Sequence, residues 1–323
     1  MKKLTYLLIT VLIVACSGDN SSNNVNVGGG GIINSVPCSL NNFVYLANNG
    51  VTIKACEDAE VLSTGVINGV TYVVVDEMVL RVMVENGTDL SRVVTTKVTD
   101  MNNLFDDYPT FNHDISSWDV SNVTDMFAIF ASADNFNQDL SHWDVSNVTN
   151  MRSMFYYASS FNQPIADWDV SNVTNMYQMF IGADAFNQEL SQWEVSNVTN
   201  MYGVFYGTDN FNQDLSQWDV SNVTDMSRMF YGATAFNQDI SSWGVSSVND
   251  MSRMFSNANT FNQPIGNWDV SNVTAMVSMF ARADTFNQDL SSWNVDGVVQ
   301  CLGFNIETPQ WLLPKPNFTN CIP

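Results

Sequence analysis

Residues 136–160 read FNQDLSHWDVSNVTNMRSMFYYASS, and residue 161 begins the same phrase again. The block recurs without insertion from Phe111, Phe136, Phe161, Phe186, Phe211, Phe236, Phe261 and Phe286. Eight of the nine tryptophans share one slot, from Trp118 and Trp143 through Trp293. A weaker unit starts at Asn86, with Leu90, Val93, Val98, Met101, Leu104 and Phe105 in the apolar slots. The last full unit decays after Val298. A fixed period of 25 residues marks a repeat architecture. One unit cannot bury its apolar side alone, and stacked units bury it together.

Within a unit, Leu140, Trp143 and Val145 have the spacing of a leucine-rich-repeat strand, L-x-x-L-x-L. Trp143 and Val145 are two apart and share one strand face. Met151, Met154, Phe155 and Ala158 follow at i, i+3, i+4 and i+7, the stripe of a short helix, with Thr149 as its N-cap. The expected fold is therefore an α/β solenoid of leucine-rich-repeat type. Each 25-residue coil holds one short parallel strand and one short helix, over residues 86–303. Asn follows the leading Phe in all eight units, Asn112 to Asn287, and a stacked Asn ladder satisfies turn backbone groups. Pro164 and Pro264 place their slot in a turn.

The flanks differ. Residues 37–85 carry β-branched runs at Val51–Ala55 and Val70–Val75, a turn signal at Asn68-Gly69, an N-cap at Asp76, and helical spacing of Val79, Leu80 and Met83 before Gly87. They predict a small N-terminal β-plus-helix cap, and residues 304–323 a C-terminal cap. Residues 16–36 are rich in Ser, Asn and Gly and read as a flexible tether. Lys2, Lys3 and the apolar run Leu4–Ala15 form an export signal too short to span a bilayer. The signal ends Ile13-Val14-Ala15-Cys16, which resembles the bacterial lipobox; the resemblance implies cleavage after Ala15 and lipidation, such as palmitate, on Cys16. Ser17 in the next position sorts such a lipoprotein to the outer membrane. Export favours disulfides among Cys38, Cys56, Cys301 and Cys321, with Cys38–Cys56 and Cys301–Cys321 each stapling one terminal segment.

The phrases W-D-V-S-N-V-T-D-M and M-F-x-x-A-x-x-F-N-Q-D-L closely resemble the BspA-like leucine-rich-repeat surface proteins, over residues 86 to about 300. The lead-in GVTIKACEDAEV to GVINGVTYVVVDE resembles the segment that precedes such repeats. The resemblance implies a cell-surface adhesion or recognition protein with an extracellular protein or glycan as partner. It carries no catalytic residue.

Thirty-three acidic against eleven basic residues give a net charge of −22. That excludes a nucleic-acid binder, which needs a basic footprint, and leaves the lipid anchor as the membrane contact. An enzyme needs a unique constellation of groups. Here Ser, Asp and Asn recur in every unit, and the two histidines, His113 and His142, lie in the repeat, His142 in a variable surface slot. Neither a cofactor nor a metal site is expected. The acidic rows, Asp119 to Asp269 and Asp114 to Asp289, read as solvated turn residues, with calcium between coils as the alternative.

The informative slots are those that vary. One, two, five and six residues after the first Met, the chain holds Arg152, Tyr156, Tyr157, Tyr177, Tyr202, Tyr206, Arg228, Tyr231, Arg253 and Arg282. Tyr and Arg dominate interface hot spots, and this set is the candidate binding stripe. The bland reading is that Tyr shields the seams between coils. A structural, self-associating surface layer or a polysaccharide-capture protein are the rival functions of a monomeric body.

Overall fold

The computed structural model describes residues 38–39 and 41–323. The export signal, Cys16 and the tether lie outside the described residues.

The N-terminal module is built from local signals. Strand β1, Val44–Leu46, pairs antiparallel with β2, Ile53–Ala55. Strands β3, Thr64–Ile67, and β4, Val70–Val74, form a hairpin. Its turn residues Asn68 and Gly69 both have positive φ, 51° and 80°, as a tight two-residue hairpin turn demands. Helix α1, Glu77–Glu85, starts where Asp76 accepts the Val79 N–H at 2.9 Å. It stops at Gly87, φ 63°, where Thr88 N–H returns to the Met83 carbonyl. Strand β5, Val93–Val94, then adds in parallel to β4, so the module's second sheet draws in part of the first, weaker unit.

From there to the C-terminus the chain is a repeat protein whose units stack in register. Parallel bridges link Asp100 to Asp125 and continue in steps of 25 to Gln300. The Trp slot is buried throughout, and neighbouring indoles such as Trp193 and Trp218 lie 6.5 Å apart and 1° from parallel. Each indole N–H donates to a backbone carbonyl 28 residues earlier, as Trp193 does to Ile165 at 3.0 Å. Two phenylalanine columns run beside the indoles. Phe155 and Phe180 are 5.4 Å apart in one, Phe161 and Phe186 6.0 Å in the other, and Phe155 meets Phe161 at 4.0 Å within a coil. The Asn ladder is continuous: Asn137 Oδ1 accepts the Asn162 N–H and the Gln163 amide, both at 2.9 Å, and Asn162 does the same for the next coil.

The expected strand and helix of each coil are not what forms. Among the described residues after Val94, the chain has neither a helix nor a strand longer than a single bridge. In the Met-Phe segment the N–H groups of Met151, Ser153, Phe155 and Tyr157 donate to the next coil, at Asn175, Tyr177, Met179 and Ile181. Those of Met154, Tyr156 and Ala158 turn back three residues. Past its first turn, a helix would bond each donor to the carbonyl four residues back. Here alternate donors leave the segment, because Ser153 and Tyr157 sit in the left-handed region, both at φ 54°. The inward face is nonetheless the expected one: Met151, Met154, Phe155 and Ala158 are fully buried. The cap is Asn150 rather than Thr149, its Oδ1 accepting the Arg152 N–H at 3.1 Å. The Trp segment is also turned, with Trp143 N–H on the Leu140 carbonyl and Val148 N–H on Val145.

Both ends are closed over the core by other means. At the first coil, Ile53 N–H reaches the Ser117 carbonyl, and Lys54 sits 3.2 Å from the buried Asp119. At the last, Trp311 packs edge-on against Phe286 at 4.8 Å and donates its indole N–H to Gln288. The disulfides are Cys38–Cys56 and Cys301–Cys321, one in each terminal segment.

Candidate binding face

Two long sides of the stack differ in what they offer. On the Ser-Asp side most coils repeat the same Asp-x-Ser turn, which Pro164, Glu194, Gly244 and Pro264 interrupt. Asp139 Oδ1 accepts the Ser141 N–H at 2.9 Å and Asp144 Oδ1 the Ser146 N–H at 3.2 Å. The hydroxyl and the amide of Ser271 hold the Asp269 carboxyl below its ordinary range, and those of Ser291 do so for Asp289. In each of these turns the Asp Oδ1 accepts from the serine two residues on. Among the described residues no group of three or more His, Cys, Asp or Glu is placed to hold a metal ion.

The Met-Phe side carries the variable residues. Its segment also supplies every Lys or Arg between Lys97 and Lys315: Arg152, Arg228, Arg253 and Arg282. The structure arranges the tyrosines and arginines into two files. In the first, the Arg152 guanidinium lies over the rings of Phe127 and Tyr177, at 5.5 and 4.5 Å. Tyr177 stacks on Tyr202 at 4.7 Å, and Arg228 closes the file over Tyr202, to whose hydroxyl it also donates. Tyr177 thus lies between Arg152 and Tyr202, and Tyr202 between Tyr177 and Arg228. The Tyr-Arg contacts are cation–π pairs.

The second file runs along slots five and six. Tyr156 meets Tyr157 edge-on at 4.6 Å, and Tyr206 stacks on Tyr231 at 4.5 Å. Between these pairs the Tyr157 ring lies over Gly182, where a Cβ would stand 2.4 Å from it. Tyr157 is 47% exposed, and the other five tyrosines are half-buried. Burial, then the neighbouring tyrosines, push the Tyr156 and Tyr206 phenols up. Arg253 is exposed, while Arg282 pairs with Glu307 at 2.6 Å. The stripe is thus one Tyr-Arg file and one tyrosine file, plus Arg253 and a paired Arg282. Sequence reasoning missed Phe127, which ends the first file, and the left-handed slots that hold the segment flat. The glycines at 182, 203, 207 and 232 were their signal.

The described segment of the face matches a known family. The family described as Mycoplasma protein of unknown function, DUF285, matches residues 75–192, 163–259 and 238–304, which overlap and together run from 75 to 304. The chain belongs to the DUF285 family. No curated protein and no solved structure matches it. The DUF285 stretch opens just ahead of α1, ends within the last coil, and contains all ten residues of the stripe. Among the described residues no helix is long and apolar enough to cross a membrane.

Proposed function

We propose that this DUF285 chain is a lipid-anchored bacterial surface protein, without enzymatic activity, that adheres to an extracellular protein through the Tyr-Arg face of its coil stack. The finer fold reading that goes with it is a solenoid related to the BspA-like leucine-rich-repeat surface proteins. Export and lipidation at Cys16, with placement on the outer membrane, follow from the N-terminal motif and complete the proposal.

One observation carries the reading. On a chain of net charge −22, the four basic residues between Lys97 and Lys315 and six tyrosines gather on one side. The Ser-Asp side repeats one turn in most coils, with little variation to discriminate a partner. Tyr and Arg give large contact area and directed hydrogen bonds at low entropic cost. The choice of a protein over a glycan partner rests on ring geometry. A sugar packs on the open face of an aromatic ring, and here the faces of Tyr177 and Tyr202 are stacked on each other and capped by arginine. Edges, hydroxyls and guanidinium groups suit the carbonyls and carboxylates of a protein surface. Many copies on one membrane multiply modest single-site affinity.

The test is a matrix-protein and glycan array probed with the purified protein and with a variant carrying Tyr156→Ser, Tyr177→Ser, Tyr206→Ser and Tyr231→Ser. A protein ligand lost by the variant, with its circular-dichroism spectrum kept, supports the proposal. A second variant, Arg253→Ser, removes an exposed charge without touching a ring stack and should weaken the same ligand. Binding that survives in both variants, or that is confined to glycans, overturns it.

A further inference from the structure

The Ser-Asp side is already occupied at one place, and the occupant is the chain's own strand β2. Ile53 N–H donates to the Ser117 carbonyl at 2.9 Å. Ala55 N–H donates to the hydroxyl of Thr96, in the preceding unit, also at 2.9 Å. Between them Lys54 Nζ stands 3.2 Å from Asp119 Oδ1 and donates to Ser121 Oγ at 3.1 Å. An extended strand thus meets the coil with two backbone donors and one lysine. Beneath it Asp119 is 2% exposed.

The same receiving groups recur, uncovered, in the coils that follow. Ser146 holds Asp144 as Ser121 holds Asp119, with the amide at 3.2 Å and the hydroxyl at 2.6 Å in both turns. The carbonyls of His142, Asp167, Gln192 and Gln217 stand in the Ser117 slot, and among the described residues no donor reaches them. Ser121, Ser146, Ser171 and Ser196 supply a hydroxyl in the Thr96 slot. Asp144, Asp169, Glu194 and Asp219 are exposed on four successive coils. None of the four has an ion-pair partner among the described residues.

Like charges stacked coil on coil repel, and ammonium groups laid between them relieve the repulsion. A chain of net charge −22 also draws cationic partners to such a row. The bound β2 adds what charge alone does not specify, an extended backbone with its N–H groups turned to the coils.

We infer that the Ser-Asp side over residues 142–221 binds an extended, lysine-rich segment of another protein, laid on the coils as β2 is laid on the first. Alternate N–H groups of the segment donate to the free carbonyls and serine hydroxyls. Lysines between them reach Asp144, Asp169, Glu194 and Asp219. The chain's own N-terminal stretch is not this segment, since residues 16–53 contain neither Lys nor Arg. The coils are nearly alike here, so the surface reads charge and extended backbone rather than one exact sequence. It is separate from the Tyr-Arg face, and its test does not depend on the outcome there.

The probe is a fluorescent peptide of about twelve residues, alternating Thr and Lys, long enough when extended to cross four coils. Fluorescence anisotropy with the full chain should show saturable binding. The same peptide N-methylated at its threonines keeps the charge and loses the backbone donors, and should bind at least about tenfold more weakly. The variant Asp144→Asn/Asp169→Asn/Glu194→Gln/Asp219→Asn should also bind at least about tenfold more weakly, without a lowered melting temperature. An amide keeps this turn, as Asn294 does in the last full coil by accepting the Asp296 N–H at 3.2 Å. The variant with the four Tyr→Ser changes should bind the peptide as the parent does. Absence of saturable binding, equal binding of the methylated peptide, or binding undiminished in the amide variant overturns the proposal. So does loss of binding in the tyrosine variant, or a concentration-dependent dimer that the amide variant abolishes.

Discussion

In residues 44–94 the backbone hydrogen bonds run between short strands and inside one nine-residue helix. From residue 98 onward they run within short turns or from one coil to its copy 24 to 26 residues away. The module thus rests largely on contacts close in sequence, apart from the β4–β5 pairing and the bonds of Ile53, Lys54 and Ala55 to the first coils. The stack rests on contacts that exist only when a neighbour is present. Two consequences follow. A fault in the module should stay local, whereas a fault in the stack should be felt by the coils on both sides. And the module is readable from local preferences, whereas the stack's backbone is not.

The largest effect expected from this contrast is at a central indole. Trp193→Ala removes a buried ring from a column in which it stacks on Trp168 at 6.4 Å and Trp218 at 6.5 Å. It also leaves the Ile165 carbonyl without its partner. Large-to-small changes of this kind cost ~3–5 kcal/mol, and here the vacated space opens onto both neighbours. Denaturant unfolding followed by far-UV circular dichroism should show a loss of that size, together with faster hydrogen exchange in the coils on either side. A loss below ~1 kcal/mol would mean that the coils do not share one interior.

The module supplies the converse. Cys38→Ser with Cys56→Ser opens a cross-link spanning 18 residues, and loops of that length are worth ~3 kcal/mol in the chain-entropy picture. Hydrogen exchange should report that loss in β1 and β2 and leave the amides of the central coils untouched. If the central coils loosen as well, the module is part of the stack's cooperative unit, and the contrast between the two regions fails.

The same contrast explains what could be read from the residues. The turn at Asn68-Gly69, the cap at Asp76 and the stop at Gly87 are each decided within a few residues, and each stands where the sequence puts it. In the coils the period, the buried slots and the Asn ladder were legible because they repeat. The backbone of the Met-Phe segment was not. Apolar residues at i, i+3, i+4 and i+7 fit a helix, but they also fit a flat segment in which every fourth residue is left-handed. Only coil-to-coil hydrogen bonding selects between them, and that is invisible in one unit. For the candidate face, the outward slots could be read from their variation. The closure of Arg152, Tyr177, Tyr202 and Arg228 into one file could not, since Arg228 comes from a different slot and is 26 residues from its tyrosine.

The smallest expected effect is the sharpest test of that backbone, because its sign differs between the two alternatives. Gly207 lies in slot six at φ 64°, and a Cβ built on it would meet nothing closer than the Gly182 nitrogen at 3.9 Å. Gly207→Ala therefore probes the backbone without a clash. In a helix the change would stabilise by ~1 kcal/mol, since glycine is the poorer helix former. In a left-handed slot the added Cβ approaches the following carbonyl and costs ~1–2 kcal/mol. Tyr157 and Arg282 occupy the same slot at φ 54° and 57°, so the site tolerates a side chain and the variant should still fold. A lowered denaturation midpoint is the expected outcome. A raised one would restore the helix and remove the coil-to-coil ladder of the Met-Phe segments.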